Sequence, residues 1–271
     1  MASRKEQKEA ARRARLEEER KRAEQAARNR RYQMLGGMGI VVIAIIVVIF
    51  VVTAGTSSGL KTGGAATATE KQVEGLIGGI PQSGRTLGNP NAPVTMTYFG
   101  DLECPICRDF TLGVDGAGFP QLLANDVKSG KVKVVYKSFC TATCNGPGES
   151  VFKTQQAAAY AAGEQNKFWY FAELFYREQG EEDTDYVNQS YLDGLAKQVP
   201  GLDLSQWQAQ EANSSLVSDV TNDENAGTAA GVTGTPTLFM SGPKGKTAVG
   251  DSADAPGAGY SDLQKAIAAV S

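Results

Sequence analysis

The chain has 271 residues, with 27 Lys+Arg against 30 Asp+Glu and a formal net charge of −3. It contains no histidine, which excludes an imidazole general base, Ser-His-Asp and Cys-His nucleophile pairs, and His-ligated zinc or haem. A hydrophobic fraction of 41% suits a folded protein, and four cysteines are the most reactive side chains present.

The small net charge hides an asymmetry. Residues 1–33 hold 12 Lys+Arg and 6 Asp+Glu, residues 34–53 hold none, and residues 54–271 hold the other 15 and 24. The two ends therefore carry +6 and −9, and an average isoelectric point describes neither. The arm from Ser3 to Arg31 is rich in Ala, Glu and Arg and reads as a helix that is polar on all sides. A solvated topogenic arm is favoured over an anionic-lipid contact, and no nucleic-acid partner is expected.

Met34 to Val52 is apolar, with Ile40 to Val52 unbroken Ile, Val, Ala and Phe. Its length predicts a single transmembrane helix over 34–53. A cleaved signal peptide is the rival reading. Against it, 33 residues precede the apolar run and no A-x-A-like site follows closely. The positive arm places the N-terminus in the cytoplasm and everything after Thr53 outside, as a single-pass cell-membrane protein. Residues 54–84 are rich in Gly, Ser, Thr and Ala and predict a flexible tether.

Residues 85–271 form the exported domain. Val94 to Phe99 is β-branched and aromatic and predicts a strand. A turn through Gly100, Asp101, Leu102 and Glu103 leads into Cys104-Pro105-Ile106-Cys107 and a helix from Arg108 to Leu112. Lys131 to Phe139 predicts a second strand, followed at once by Cys140-Thr141-Ala142-Thr143-Cys144. Helical patterns fill about 149–225. Thr237 to Met240 and Lys246 to Val249 flank a Gly-Pro turn and predict a hairpin, and Asp262 to Val270 closes as a helix. Phe139 and Thr235 are separated by 95 residues, far more than a crossover needs. The excess predicts a helical subdomain inserted into an α/β core.

The spacing at Cys104 carries chemistry. With Cys104 as helix N-cap, Pro105 falls at N1, where a missing N–H costs nothing, and Cys107 falls at N3, within disulfide reach. Amide hydrogen bonds and the helix dipole favour the Cys104 thiolate. Cys104 is then the exposed nucleophile and Cys107 its buried partner. Gly234-Thr235-Pro236-Thr237, just before a strand, suits a cis X-Pro turn beside such a site. Asp101, Glu103 and Lys137 are candidates for proton management, although each reads more simply as a surface or turn charge. Cys140 and Cys144 are close enough for a disulfide that pins the corner, with a second redox pair as the rival.

The segment from Phe99 to Phe110 resembles the active-site strand and helix of DsbA-like thiol:disulfide oxidoreductases. Gly231 to Phe239 resembles their cis-proline loop, and Lys167 to Phe175 their inserted helical domain. The resemblance covers about residues 85–271. It implies a thioredoxin fold with a helical insertion, catalytic Cys104 and Cys107, and substrate binding at Thr235 and Pro236, with Pro105 and Ile106 beside it. A membrane-anchored member of this type suits a Gram-positive, actinobacterial cell envelope. It further implies oxidation of reduced exported proteins and a membrane oxidoreductase that resets the dithiol. No metal or organic cofactor is required. Ile106 stands where a His is common in the family, which implies a milder oxidant. Rival readings are a reductase or isomerase of the same fold, a zinc module with all four cysteines as thiolate ligands, and a non-catalytic thioredoxin-like binding domain.

Overall fold

The computed structural model describes residues 59–271 apart from 183, 212 and 250–257. The predicted arm and transmembrane helix lie outside these residues. Among the described residues, no helix is long and apolar enough to cross a membrane.

The chain runs α1 (Gly63–Ile77), β1 (Gln82–Ser83), β2 (Thr86–Leu87), β3 (Val94–Gly100), α2 (Pro105–Leu112), α3 (Phe119–Leu122) and β4 (Val132–Ser138). Five helices follow: α4 (Ala142–Asn145), α5 (Glu149–Gly163), α6 (Phe168–Arg177), α7 (Gln189–Ala196) and α8 (Leu204–Glu211). The chain then completes with α9 (Ser214–Ala229), the hairpin β5 (Thr237–Gly242) and β6 (Gly245–Ala248), and α10 (Tyr260–Val270). The six strands form one sheet in the order β1-β2-β4-β3-β5-β6. β3 is parallel to β4, with Val94 opposite Val132, and antiparallel to β5, with Phe99 opposite Thr237. This is the mixed α/β sheet of a thioredoxin fold, with α4–α9 between β4 and β5 as the expected helical insertion.

β3 lies between two neighbours, and its inward residues Val94, Met96 and Tyr98 are fully or almost fully buried. Tyr98 meets Phe110 edge-on at 5.4 Å and Tyr136 at 5.5 Å between ring centroids. These contacts fix α2 over the end of β3. Every residue from Phe168 to Tyr176 in α6 is buried, as befits a helix that is apolar almost all round. It packs against α1, α2 and α5. The sole acid of that run, Glu173, is paired with Arg177 one turn on, so no lone charge is buried.

Within the expected tether, residues 63–77 and 82–83 form a helix and a strand instead. Ala66, Thr69, Val73 and Ile77 form one buried stripe of α1, at helical spacing. β1 and β2 then extend the sheet beside β4. Small residues obscure this amphipathic pattern in the sequence, but Val73 and Ile77 anchor it. The domain therefore begins before residue 85.

Candidate active site

β3 ends at Gly100, where a Cβ would stand 2.8 Å from Tyr136 Cε2 and 3.0 Å from Tyr98 Cε2. Only glycine lets the chain pass these rings and turn into α2. In the turn, the Cys104 amide donates to the Asp101 carbonyl at 3.1 Å and the Glu103 amide to Asp101 Oδ1 at 3.1 Å. Cys104 is the N-cap, Pro105 occupies the first turn, and Cys104 Sγ accepts from the Cys107 amide at 3.4 Å. Gln179, just after α6 within the helical insertion, donates from Nε2 to the Leu102 carbonyl at 2.7 Å and the Cys104 carbonyl at 3.2 Å.

Cys104 and Cys107 are not bonded to each other here, and they differ sharply. Cys104 is 5% exposed and Cys107 0%, so only the first sulfur meets a partner from outside. The Cys104 thiol is lowered to about 7, by hydrogen bonding from Cys107 first, against the opposing effect of burial, and then by Thr235 and the Cys107 amide. Burial, and then the neighbouring Cys104, push Cys107 well above the ordinary thiol range.

The Thr235–Pro236 peptide is cis, as the turn chemistry predicts. Cys104 Sγ donates to the Thr235 carbonyl at 3.3 Å. Cys140 and Cys144 are joined as a disulfide with their Cα atoms 5.7 Å apart. Two of the four sulfurs are thus bonded to each other and unavailable as thiolate ligands, against the four-thiolate zinc reading. Among the described residues, no cluster of His, Cys, Asp and Glu suits a metal ion. Cys104, Pro105, Ile106, Thr235 and the Cys140–Cys144 pair line one open groove of about 500 Å³. Ile106 stands at its edge, 36% exposed.

Asp101 and Glu103 sit in the turn as expected, but neither is a surface charge. Asp101 is fully buried and Glu103 is 5% exposed. Asp101 Oδ2 accepts from the Thr141 and Thr143 amides, each at 3.0 Å, and Oδ1 from the Thr143 hydroxyl at 2.5 Å. Burial raises the Asp101 carboxyl, and the Thr143 and Thr141 hydrogen bonds oppose it. Burial raises Glu103 to about 7, against hydrogen bonding from Thr143. Lys137 does not face the cysteines. It pairs with Asp223 at 2.7 Å, and Asp223 also binds Arg85. Asp101 stood within sight as an acid between a buried strand and the CxxC. Gln179 carried no signal, lying 75 residues from Cys104 in sequence.

A family model described as Thioredoxin matches residues 82–253, well over half of the chain. The probable disulfide bond formation protein D of Bacillus anthracis is 24% identical over 164 residues, which cover 58% of this chain and 70% of that protein. The disulfide bond formation protein D of Bacillus subtilis is 25% identical over 154 residues, covering 57% and 66%. The crystal structure of oxidised BdbD from Bacillus subtilis superposes with a TM-score of 0.56 at 20% identity, covering 70% of this chain and 95% of that one. DsbA from Chlamydia trachomatis gives 0.52 at 14% identity, covering 68% and 89%. At these identities the solved structures speak for the fold.

Proposed function

The chain belongs to the thioredoxin family and is a DsbA-like protein thiol:disulfide oxidoreductase; on that premise we propose that it is an oxidase acting outside the cytoplasm. Cys104 and Cys107 are its redox pair, and the Thr235–Pro236 loop, with Pro105 and Ile106, receives the substrate. The observation that carries this reading is the opposition between the two thiols, one lowered at the mouth of a groove and the other buried and raised.

In the oxidised enzyme, a substrate thiolate attacks Cys104 Sγ. The Cys104–Cys107 bond breaks, and Cys107 leaves with the electron pair and takes up a proton. A second substrate thiolate then attacks the substrate sulfur of the mixed disulfide. Cys104 departs as a thiolate, a good leaving group because its pKa lies near ambient pH. Cys107 is a poor nucleophile at neutral pH because its thiol stays protonated. It therefore seldom recaptures Cys104 before the substrate disulfide closes, which favours donation of disulfides over their reduction. The substrate backbone lies along the Thr235 loop by strand addition. Exported reduced proteins are the substrates, and a membrane oxidoreductase regenerates the Cys104–Cys107 disulfide. The apolar segment 34–53 anchors the chain, and the domain from about residue 59 works outside. Ile106 offers no donor or positive charge beside the Cys104 sulfur, which supports a milder oxidant.

The oxidised full chain should restore activity to reduced ribonuclease, and Cys104→Ala should lower that rate at least ~100-fold, the scale of losing an essential nucleophile. An unchanged rate would remove Cys104 from the chemistry. Thiol trapping in cells decides direction: a disulfide at Cys104–Cys107 in the steady state fits an oxidase, and a dithiol fits a reductase or isomerase.

A further inference from the structure

We propose that the Cys140–Cys144 disulfide is a second redox centre that exchanges with Cys104 within the same groove, and is not a structural staple. The inference rests on the Cys104 thiolate of the proposed function and adds a partner for it inside the chain.

The first observation is placement. Cys104, Cys140 and Cys144 all line one groove. Thr141, inside the Cys140–Cys144 loop, meets Thr235 hydroxyl to hydroxyl at 2.5 Å, and Thr235 accepts from Cys104 Sγ at 3.3 Å. The second loop thus rests on the residue that touches the reactive sulfur.

The second observation is exposure. Cys144 is exposed and Cys140 half-buried. Disulfides that solvent and thiolates can reach are the labile ones.

The third observation is redundancy. The corner between β4 and α4 is already held by Asp101, which takes both the Thr141 and Thr143 amides and the Thr143 hydroxyl. Gln155 adds a bond to Thr143 Oγ1 at 2.8 Å. The cysteines are only four residues apart, and closing so short a loop removes little freedom from the unfolded chain. A staple has little to do at this place, whereas an electron acceptor beside Cys104 does.

The step is balanced within one molecule. The Cys104 thiolate attacks Cys144 Sγ, the Cys140–Cys144 bond breaks, and Cys140 leaves with the electron pair. Cys107, whose protonated thiol reacts slowly, then gives up its proton and attacks Cys104 Sγ, and Cys144 leaves with the electron pair; no substrate thiol competes in this intramolecular step. One electron pair moves from the Cys104–Cys107 dithiol to the second pair. The two protons lost by the first pair are matched by two taken up by Cys140 and Cys144.

Cys107→Ser stops this sequence halfway. The full-length variant is purified with its remaining disulfide intact, held without oxygen, alkylated, digested without reduction and mapped by mass spectrometry. A peptide linking Cys104 to Cys144 or Cys140, with the displaced cysteine alkylated, is the expected result. Fully alkylated Cys104 beside an intact Cys140–Cys144 peptide, in Cys107→Ser and Cys107→Ala alike, overturns the proposal. The second arm replaces both Cys140 and Cys144 by Ser in the full chain. Its melting temperature should fall by less than about 4 °C, the upper shift of a 1 kcal/mol change in a domain of this size. A larger fall makes the disulfide a staple and also overturns the exchange. Ribonuclease refolding by the wild-type chain reads the oxidase function separately. If that succeeds while the linked peptide is absent, the exchange fails and the oxidase reading stands.

Discussion

Asp101 is the residue on which the site turns. Its carboxylate, without solvent contact, accepts from two amides and the Thr143 hydroxyl on the far side of the groove, and from the Glu103 amide on the near side. Asp101→Ala leaves these buried donors without an acceptor, and each such loss costs about 1–3 kcal/mol. We expect a destabilisation of about 2–4 kcal/mol in urea unfolding; a change under 0.5 kcal/mol, the range of ordinary surface sites, would deny it that role. Glu103 behaves differently because one of its oxygens, Oε2, is buried without a partner. Burial lifts its carboxyl to about 7 in the fold, against about 4.3 in an unfolded chain. Between those values the folded chain holds a proton that the unfolded chain has lost. Stability therefore falls as pH rises from about 4.3 to 7 and is flat above. After allowance for solvent screening, the loss is on the order of 1–2 kcal/mol. Glu103→Gln should abolish that slope, so that thermal unfolding of the two forms diverges in favour of the variant between pH 5 and pH 8. Parallel pH profiles would show that the carboxyl titrates normally.

At the scale of elements, legibility followed locality. The strand–CxxC–helix unit, the Thr235–Pro236 turn and the hairpin after it are local patterns, and each stands where its own residues place it. Pro105 in the first turn and Cys104 as N-cap follow from a four-residue motif alone. Cys140 and Cys144 are similarly close in sequence, so their pairing was legible, although the groove they share with Cys104 was not. α1 is not legible in the sequence because its fold-making residues are diluted. Between Gly63 and Ile77, the apolar stripe relies on small Ala66 and Thr69 before Val73 and Ile77, and the composition resembles a linker. Gln179 is illegible for the opposite reason, since its contact exists only where the fold brings the insertion against Leu102 and Cys104. α1 now carries its own test. Ile77 is 0% exposed in a helix packed on α6, and truncating such a side chain costs about 2–5 kcal/mol. Ile77→Ala should lower the urea midpoint accordingly, whereas a true tether would tolerate it with less than 0.5 kcal/mol lost.

For the whole molecule, the distribution of charge and apolar residues in the sequence is the basis of the proposed topology. An oxidase that leaves Cys104–Cys107 oxidised needs a space in which thiols are not kept reduced. The sequence offers one route to it: 12 Lys+Arg before a charge-free stretch at 34–53, and an acidic remainder of 15 Lys+Arg against 24 Asp+Glu. Basic residues close to an apolar segment are held on the cytoplasmic side, while acidic residues exert little pull. On the proposed topology the basic arm decides orientation, and the acidic domain follows the segment across. Arg28, Arg30 and Arg31 lie nearest that segment and should matter most. Fusions at residue 60 should give active alkaline phosphatase and inactive β-galactosidase. Replacing Arg28, Arg30 and Arg31 by Glu should weaken that contrast by removing the nearest positive charges. Active β-galactosidase in the unmodified chain would put the domain in the cytoplasm, and there the Cys104–Cys107 pair would be held reduced.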